Sequence, residues 1–178
     1  MSRPNIILTG FMGTGKSTLG RLLAKRIGYD FVDTDALIEA QAGQSITNLF
    51  KTQGEAAFRK LEAELVKNLA RKQGLVVATG GGLVLNPDNV EALNETGHII
   101  CLTATPKEIL SRVSRQKDSR PLLAEKDPRA RINTLLRQRD SIYKQFTQVS
   151  TSNTTPEQLI VTVVNIIDAL QSQKTGSP

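Results

Sequence analysis

The sequence predicts a three-layer α/β/α domain, and three observations carry that prediction. Short, continuously apolar runs, Ile6-Ile7-Leu8, Leu75-Val76-Val77-Ala78 and Ile99-Ile100-Cys101-Leu102, are separated by longer amphipathic stretches. Apolar runs without alternation are those of parallel strands buried on both faces, and their interleaving with helices describes a sheet covered on each side. Helix starts are also spelled out, because Asn86-Pro87, Thr105-Pro106, Asp127-Pro128 and Thr155-Pro156 each set a capping residue before a proline. Finally, 178 residues with 39% hydrophobic and 22% charged content suit one sizeable core better than two small ones.

Taken in order, Ile6 to Leu8 is the first buried strand, and Thr18 to Ile27 continues as an amphipathic helix after a glycine-rich turn. Phe31-Val32 and the stretch around Val149 are weaker strands. After Gly54, residues Phe58, Leu61, Leu65 and Leu69 fall at helical spacing and mark a buried face. Leu159, Val163, Ile166 and Leu170 do the same near the C-terminus. Thr105-Pro106-Lys107-Glu108 and Thr155-Pro156-Glu157-Gln158 have the form of capping boxes. The domain is expected over 1–170, with 171–178 a polar, frayed tail.

Charge and composition narrow the function classes. The formal charge is +6 and the isoelectric point about 9.7, a balance that fits nucleic acid, small anions or plain solubility. The basic residues are dispersed, aromatic content is 4% and tryptophan is absent, so a stacking platform for nucleic acid is not expected. No stretch reaches the roughly 20 apolar residues of a membrane span. The segment Met1 to Asn5 leads straight into a strand without the apolar region of a signal peptide. A single cysteine, Cys101, excludes an internal disulfide, so a cytoplasmic chain is expected.

The most specific motif is Gly10-Phe11-Met12-Gly13-Thr14-Gly15-Lys16-Ser17, which fits G-x-x-x-x-G-K-[ST] at every fixed position. Its glycines let successive N–H groups turn inward at phosphate oxygens. Lys16 supplies an ammonium for the β- and γ-phosphates, the Ser17 hydroxyl can ligate Mg²⁺, and the helix that follows adds its positive end. A strand before and a helix after are the setting this motif requires. Nucleoside triphosphate binding follows.

Carboxylates come next. The strand Leu75 to Ala78 ends in Thr79-Gly80-Gly81-Gly82 and offers none, so the first available pair is Asp33 and Asp35 in Phe31-Val32-Asp33-Thr34-Asp35. Residues two apart in extended chain point to one side, so both acids can face one cleft. One could support the metal while the other approaches an attacking hydroxyl. Asp35 can equally be the N-cap of a helix starting at Ala36. The triple glycine sits at the carboxyl end of a buried strand, where open α/β sheets bind ligands.

In this order and spacing, the Gly10–Ser17 turn, Asp33-Thr34-Asp35, Phe58-Arg59-Lys60-Leu61-Glu62, Gly80-Gly81-Gly82, Arg120-Pro121-Leu122-Leu123 and Arg139 with Tyr143 resemble shikimate kinase, to about residue 170. The resemblance implies a P-loop kinase fold with a mostly parallel five-stranded sheet and a lid over about 114–126. It implies an enzyme that transfers the γ-phosphate of ATP to the 3-hydroxyl of shikimate with Mg²⁺, in aromatic amino-acid biosynthesis. Asp33 would help Ser17 hold Mg²⁺, and Asp35 would bond the shikimate hydroxyl as candidate base. Arg59 and Arg139 would pair with the substrate carboxylate, and Gly80, Gly81 and Gly82 would contact ring hydroxyls. Gly13, Thr14, Gly15, Lys16, Ser17 and Thr18 would cradle the nucleotide, Arg112 would lie on adenine, and Arg120 would reach the transferring phosphate.

Guanidinium forks suit a planar carboxylate, and an arginine arriving with a lid suits spreading phosphoryl charge. Without the resemblance, Arg59 and Arg139 read as solvated helix charges, and Arg120 as a loop arginine. The loop Thr151 to Pro156 aligns only loosely with the adenine-side loop of the family, His98 reads as structural, and Cys101 reads as core. Competing readings are a P-loop kinase for gluconate or a nucleoside monophosphate, and a non-catalytic ATP-responsive binding protein. ATP and shikimate are the expected partners of a monomer, with neither nucleic acid nor membrane.

Overall fold

Strand β1, Asn5–Thr9, is buried along its whole length, which places it at the centre of the sheet. The computed structural model describes residues 3–115 and 127–175. Five parallel strands form one sheet in the order β2-β3-β1-β4-β5, where β2 is Asp30–Asp33, β3 Leu75–Ala78, β4 Gly97–Thr103 and β5 Thr147–Ser150. The three apolar runs and both weaker candidates of the sequence are these strands, and the sheet is parallel throughout. Register pairs Ile7 with Val77 of β3 and with Ile99 of β4. His98, expected just ahead of a strand, lies inside β4 opposite Ile6.

Because β side chains alternate between faces, each strand serves two cores. Ile7, Val77, Ile99 and Cys101 point to one side, under helices α2 (Thr34–Ala42), α3 (Ile46–Leu69), α4 (Pro87–Thr96), α5 (Pro106–Arg115) and α6 (Pro128–Tyr143). Ile6, Leu8, Val76, Ile100 and Leu102 point to the other, under α1 (Lys16–Ile27) and α7 (Pro156–Thr175). These are the three layers the sequence predicts. Burial lifts the Cys101 thiol to about 11, so it stays protonated and inert at neutral pH. Among the described residues, no helix is long and apolar enough to cross a membrane.

All four cap-proline signals open helices, at Pro87, Pro106, Pro128 and Pro156. In α3, Phe58, Leu65 and Leu69 are buried as predicted. That helix, however, begins well before Gly54, with Ser45 accepting from the Asn48 N–H at 3.2 Å, and it kinks at Gly54. Helix α7 extends to Thr175, into the stretch expected to fray. The expected lid lies, from residue 116 onward, outside the described residues, and Arg120 with it.

Candidate active site

Everything of interest gathers at the carboxyl ends of β1, β3 and β4. After β1 the chain must reverse sharply against its neighbour. A β-carbon at Gly10 would lie 2.2 Å from the Leu102 carbonyl oxygen, and its φ is 129°, so no other residue type fits. Thr14 closes the turn by donating its hydroxyl to the Phe11 carbonyl at 2.8 Å. Helix α1 then starts at Lys16 from a left-handed Gly15 without any side-chain cap. Its first N–H groups are therefore available to an anion. Lys16 Nζ donates to the carbonyls of Gly10 and Phe11, each at 2.9 Å, folding the ammonium over the concave side of the loop. Thr18 is exposed in the first turn of α1.

Asp33 ends β2 and links two elements. One carboxylate oxygen accepts the Ser17 hydroxyl at 2.7 Å, and the other accepts the N–H groups of Asp35 at 3.1 Å and Ala36 at 3.3 Å. The N-cap of α2 is thus Asp33, not Asp35. Asp35, freed from capping, sits in the first turn with its Oδ1 against Gly80, 2.5 Å from where a β-carbon there would stand. Chemically, Ser17 and Asp33 form a hydroxyl–carboxylate pair of hard oxygen donors at the mouth of the phosphate turn. Among the described residues, no three His, Cys, Asp or Glu side chains converge into a metal cage.

The turn Gly80–Gly82 is where the two halves of the site meet. The Gly80 N–H donates to the buried Thr34 hydroxyl at 2.9 Å, which ties β3 to the start of α2. Both guanidinium nitrogens of Arg59 lie 2.7 Å from the β-carbon position of Gly82. At Gly81 that position is 3.4 Å from an Arg139 nitrogen and 3.3 Å from the Gly10 carbonyl oxygen. The Gly81 carbonyl accepts the Tyr143 hydroxyl at 2.7 Å and Arg139 at 3.4 Å. Arg139 also stands over the Phe11 ring, 5.5 Å from its centre. Asp35, Arg59 and Arg139 therefore cluster about the three glycines, beside the phosphate turn.

Arg59 is held between two acids of its own helix, Glu62 at 2.6 Å and Glu55 at 2.9 Å. Burial works to lower its pKa, but hydrogen bonds and charge from Glu62 and Glu55 outweigh that and hold it above the ordinary value. Glu62 is 1% exposed, and its Oε1 has no hydrogen-bond partner among the described residues. Burial pushes this carboxyl up; Arg59 pulls it down, while Asp35 and Glu55 add to the rise, and the net direction is upward. In the sequence, Arg59 and Glu62 stand together only as members of the Phe58–Glu62 motif, and the ion pair between them is a finding of the structure. Thr34 and Tyr143 carried no polar signal of their own.

On the β4 side, Arg112 donates to the Gly13 carbonyl at 3.3 Å, the Thr151 hydroxyl at 2.9 Å and the Thr151 carbonyl at 3.0 Å. It ties the phosphate turn to the loop after β5. The predicted residues fall into two groups. Lys16, Ser17, Asp33, Asp35, Arg59, Gly80 to Gly82 and Arg139 lie about the phosphate turn and the glycine turn beside it, whereas Arg112 lies on the far flank with Gly13 and Thr151.

The geometry agrees with what comparison with known proteins finds. The family model described as shikimate kinase matches residues 12–169. The chain is 49% identical over 140 residues to a shikimate kinase of Caldanaerobacter subterraneus subsp. tengcongensis, covering 79% of this chain and 81% of the relative. It is 44% identical over 164 residues to that of Pelotomaculum thermopropionicum, covering 92% and 95%. A shikimate kinase from Acinetobacter baumannii, solved in complex with shikimate, superposes with a TM-score of 0.87 at 34% identity, covering 94% of each chain. With sheet order, phosphate turn and sequence all in agreement, the chain belongs to the shikimate kinase family.

Proposed function

We propose that the chain transfers the γ-phosphoryl group of ATP to the 3-hydroxyl of shikimate, a step in aromatic amino-acid biosynthesis. The observation that carries this reading is the Gly80–Gly82 turn. Two arginines and an aspartate converge on it, and it lies against the carbonyl of the first glycine of the phosphate turn. An acid bearing an alcohol thus has a place beside a triphosphate.

Arg59 and Arg139 pair with the substrate carboxylate, and the backbone of Gly80 to Gly82 orients the ring hydroxyls. The N–H groups from Gly13 to Thr18 receive the phosphates. Lys16 exchanges its two carbonyl partners for phosphate oxygens. Arg112 lies beside the base. Ser17 and Asp33 would hold Mg²⁺, since both are hard oxygen donors at the turn's mouth. Bound there, Mg²⁺ supplies charge neutralisation to the phosphates.

In the transfer, the shikimate oxygen forms a bond to the γ-phosphorus as the bond from that phosphorus to the β,γ-bridging oxygen breaks. Asp35 takes the hydroxyl proton, and ADP leaves. A loose transition state asks little of the base, so positioning and charge do most of the work. Arg120 is assigned to the transferring phosphoryl group.

The direct test is ADP release that depends on shikimate, with a control lacking Mg²⁺. Lys16→Ala should lower kcat/KM by at least about 10²–10³, the scale of removing one preorganised electrostatic donor. Arg139→Ala should chiefly raise KM for shikimate. ADP release driven by gluconate or a nucleoside monophosphate but not by shikimate would replace the acceptor. Nucleotide binding with no acceptor-stimulated release would make the chain a non-catalytic binding protein.

A further inference from the structure

One acid outside the pocket makes more contacts than a helix cap requires. Glu108 lies in the first turn of α5. Its carboxylate accepts the Thr105 hydroxyl at 2.6 Å and the Thr105 N–H at 3.2 Å, which completes the capping box. The same carboxylate accepts the Ser152 hydroxyl and the Asn153 N–H at 3.4 Å, forty-four and forty-five residues on. It also stands 3.6 Å from an Arg112 guanidinium nitrogen. The loop it grips is otherwise anchored at its two ends, at Thr151 and, where the Thr155 N–H donates to the Gln158 side chain at 3.0 Å, at α7. Thr151 is held by the backbone of Thr103 and by Arg112, Ser152 by the Thr105 N–H, and Asn153 adopts a positive φ of 53°.

We infer that Glu108 is a positioning residue for the nucleotide: it fixes the 151–155 loop to α5 and aims Arg112, so that the base side of the site is formed before ATP arrives. This inference rests on the ATP-dependent reading of the site. The chemistry is consistent with that role. A carboxylate can accept several donors at once, and charge-assisted bonds are the stronger ones. Its hydrogen bonds from Ser152 and Thr105 draw the Glu108 pKa down to about 2, so the acceptor stays charged across the working pH range. A purely capping glutamate would need only Thr105. Binding energy that would otherwise go into ordering the loop and Arg112 then appears as nucleotide affinity.

Glutamine separates the two roles, because it serves in a capping box as glutamate does. It has a single acceptor oxygen, however, and presents an amide donor to Ser152 and Arg112. In the full-length protein, calorimetric titration with MgADP should show Glu108→Gln binding about tenfold more weakly, a factor equal to about 1.4 kcal/mol. Ser152→Ala should lose part of that. Inorganic tripolyphosphate, which fills the phosphate turn but lacks a base, should bind both variants as it binds the parent. KM for ATP should rise, while KM for shikimate at saturating ATP should stay put. Unchanged MgADP affinity, or tripolyphosphate affinity falling by the same factor, overturns the inference in favour of a cap. Absence of shikimate phosphorylation by the parent would remove the proposed acceptor, and the MgADP titrations would still decide the role of Glu108.

Discussion

Glu62 carries a conflict that can be measured. It is 1% exposed, paired with Arg59 on one oxygen and facing Asp35 across Gly80 with the other. Burial holds its folded pKa above the unfolded value despite Arg59. For an acid shifted upward, the stabilising contribution is complete below the unfolded pKa and is lost as pH rises through the folded one. Glu62→Gln cannot ionise and escapes that loss. The difference in Tm between Glu62→Gln and the parent should therefore grow in favour of the variant from about pH 4 to pH 8. Parallel Tm profiles would mean that Arg59 fully compensates the buried charge. At this scale the sequence was unevenly legible. Asp33 and Asp35 stood out as the first acids after a strand, although only Asp33 ends β2 and Asp35 belongs to the first turn of α2, and the phosphate turn stood out because its glycines are so constrained. Arg59 and Arg139 were visible only through resemblance, since a lone arginine on a helix usually faces water. Glu62 and Thr34 entered only as members of the resemblance's motifs and Glu108 only as a helix cap, because their contacts are brought together by the fold.

Helix ends show how one side chain can hold two elements together. Asp33 caps α2 and accepts Ser17 from α1. Asparagine caps nearly as well as aspartate. Asp33→Asn should thus unfold within about 0.5 kcal/mol of the parent, while its activity demands more Mg²⁺. Asp33→Ala should lose both, with about 1 kcal/mol of stability. Urea unfolding and Mg²⁺ titration of activity separate the two, and an unchanged Mg²⁺ requirement in the Asn variant would leave Asp33 as a cap alone. In α3, Gly54 has φ 79° and ψ 174° with open space where a β-carbon would go. Strain, not crowding, is what excludes other residues, and that region costs of order 1–3 kcal/mol. Gly54→Ala should lower Tm by roughly 3–10 °C in calorimetry; an unshifted Tm would mean the kink relaxes freely. Strand positions were readable because buried parallel strands are uniformly apolar. The N-terminal part of α3 was not, because glycine in mid-helix breaks the periodicity on which reading relies.

The whole molecule is a sheet whose central strand carries the phosphate turn, with a pocket on the β3 side and Arg112 on the β4 side. Ligand that binds only the folded state must stabilise all of it. MgADP at about 100 times its Kd adds about 2.7 kcal/mol, which for a chain of 178 residues is a rise in Tm of roughly 5–10 °C. Lys16→Ala should erase most of that rise, and a full shift in that variant would remove the ammonium from nucleotide binding.

The position of β1 has an inheritance attached to it. Strand β3 and its glycine turn flank it on one side and β4 on the other, and α6 reaches Gly81 through Arg139 and Tyr143. The residues proposed for the acceptor and those proposed for the base thus sit on opposite sides of the phosphate turn. Under the proposed assignment, a change of acceptor would call for α2, α3, the glycine turn and α6 to change together, while the phosphate turn could stay as it is.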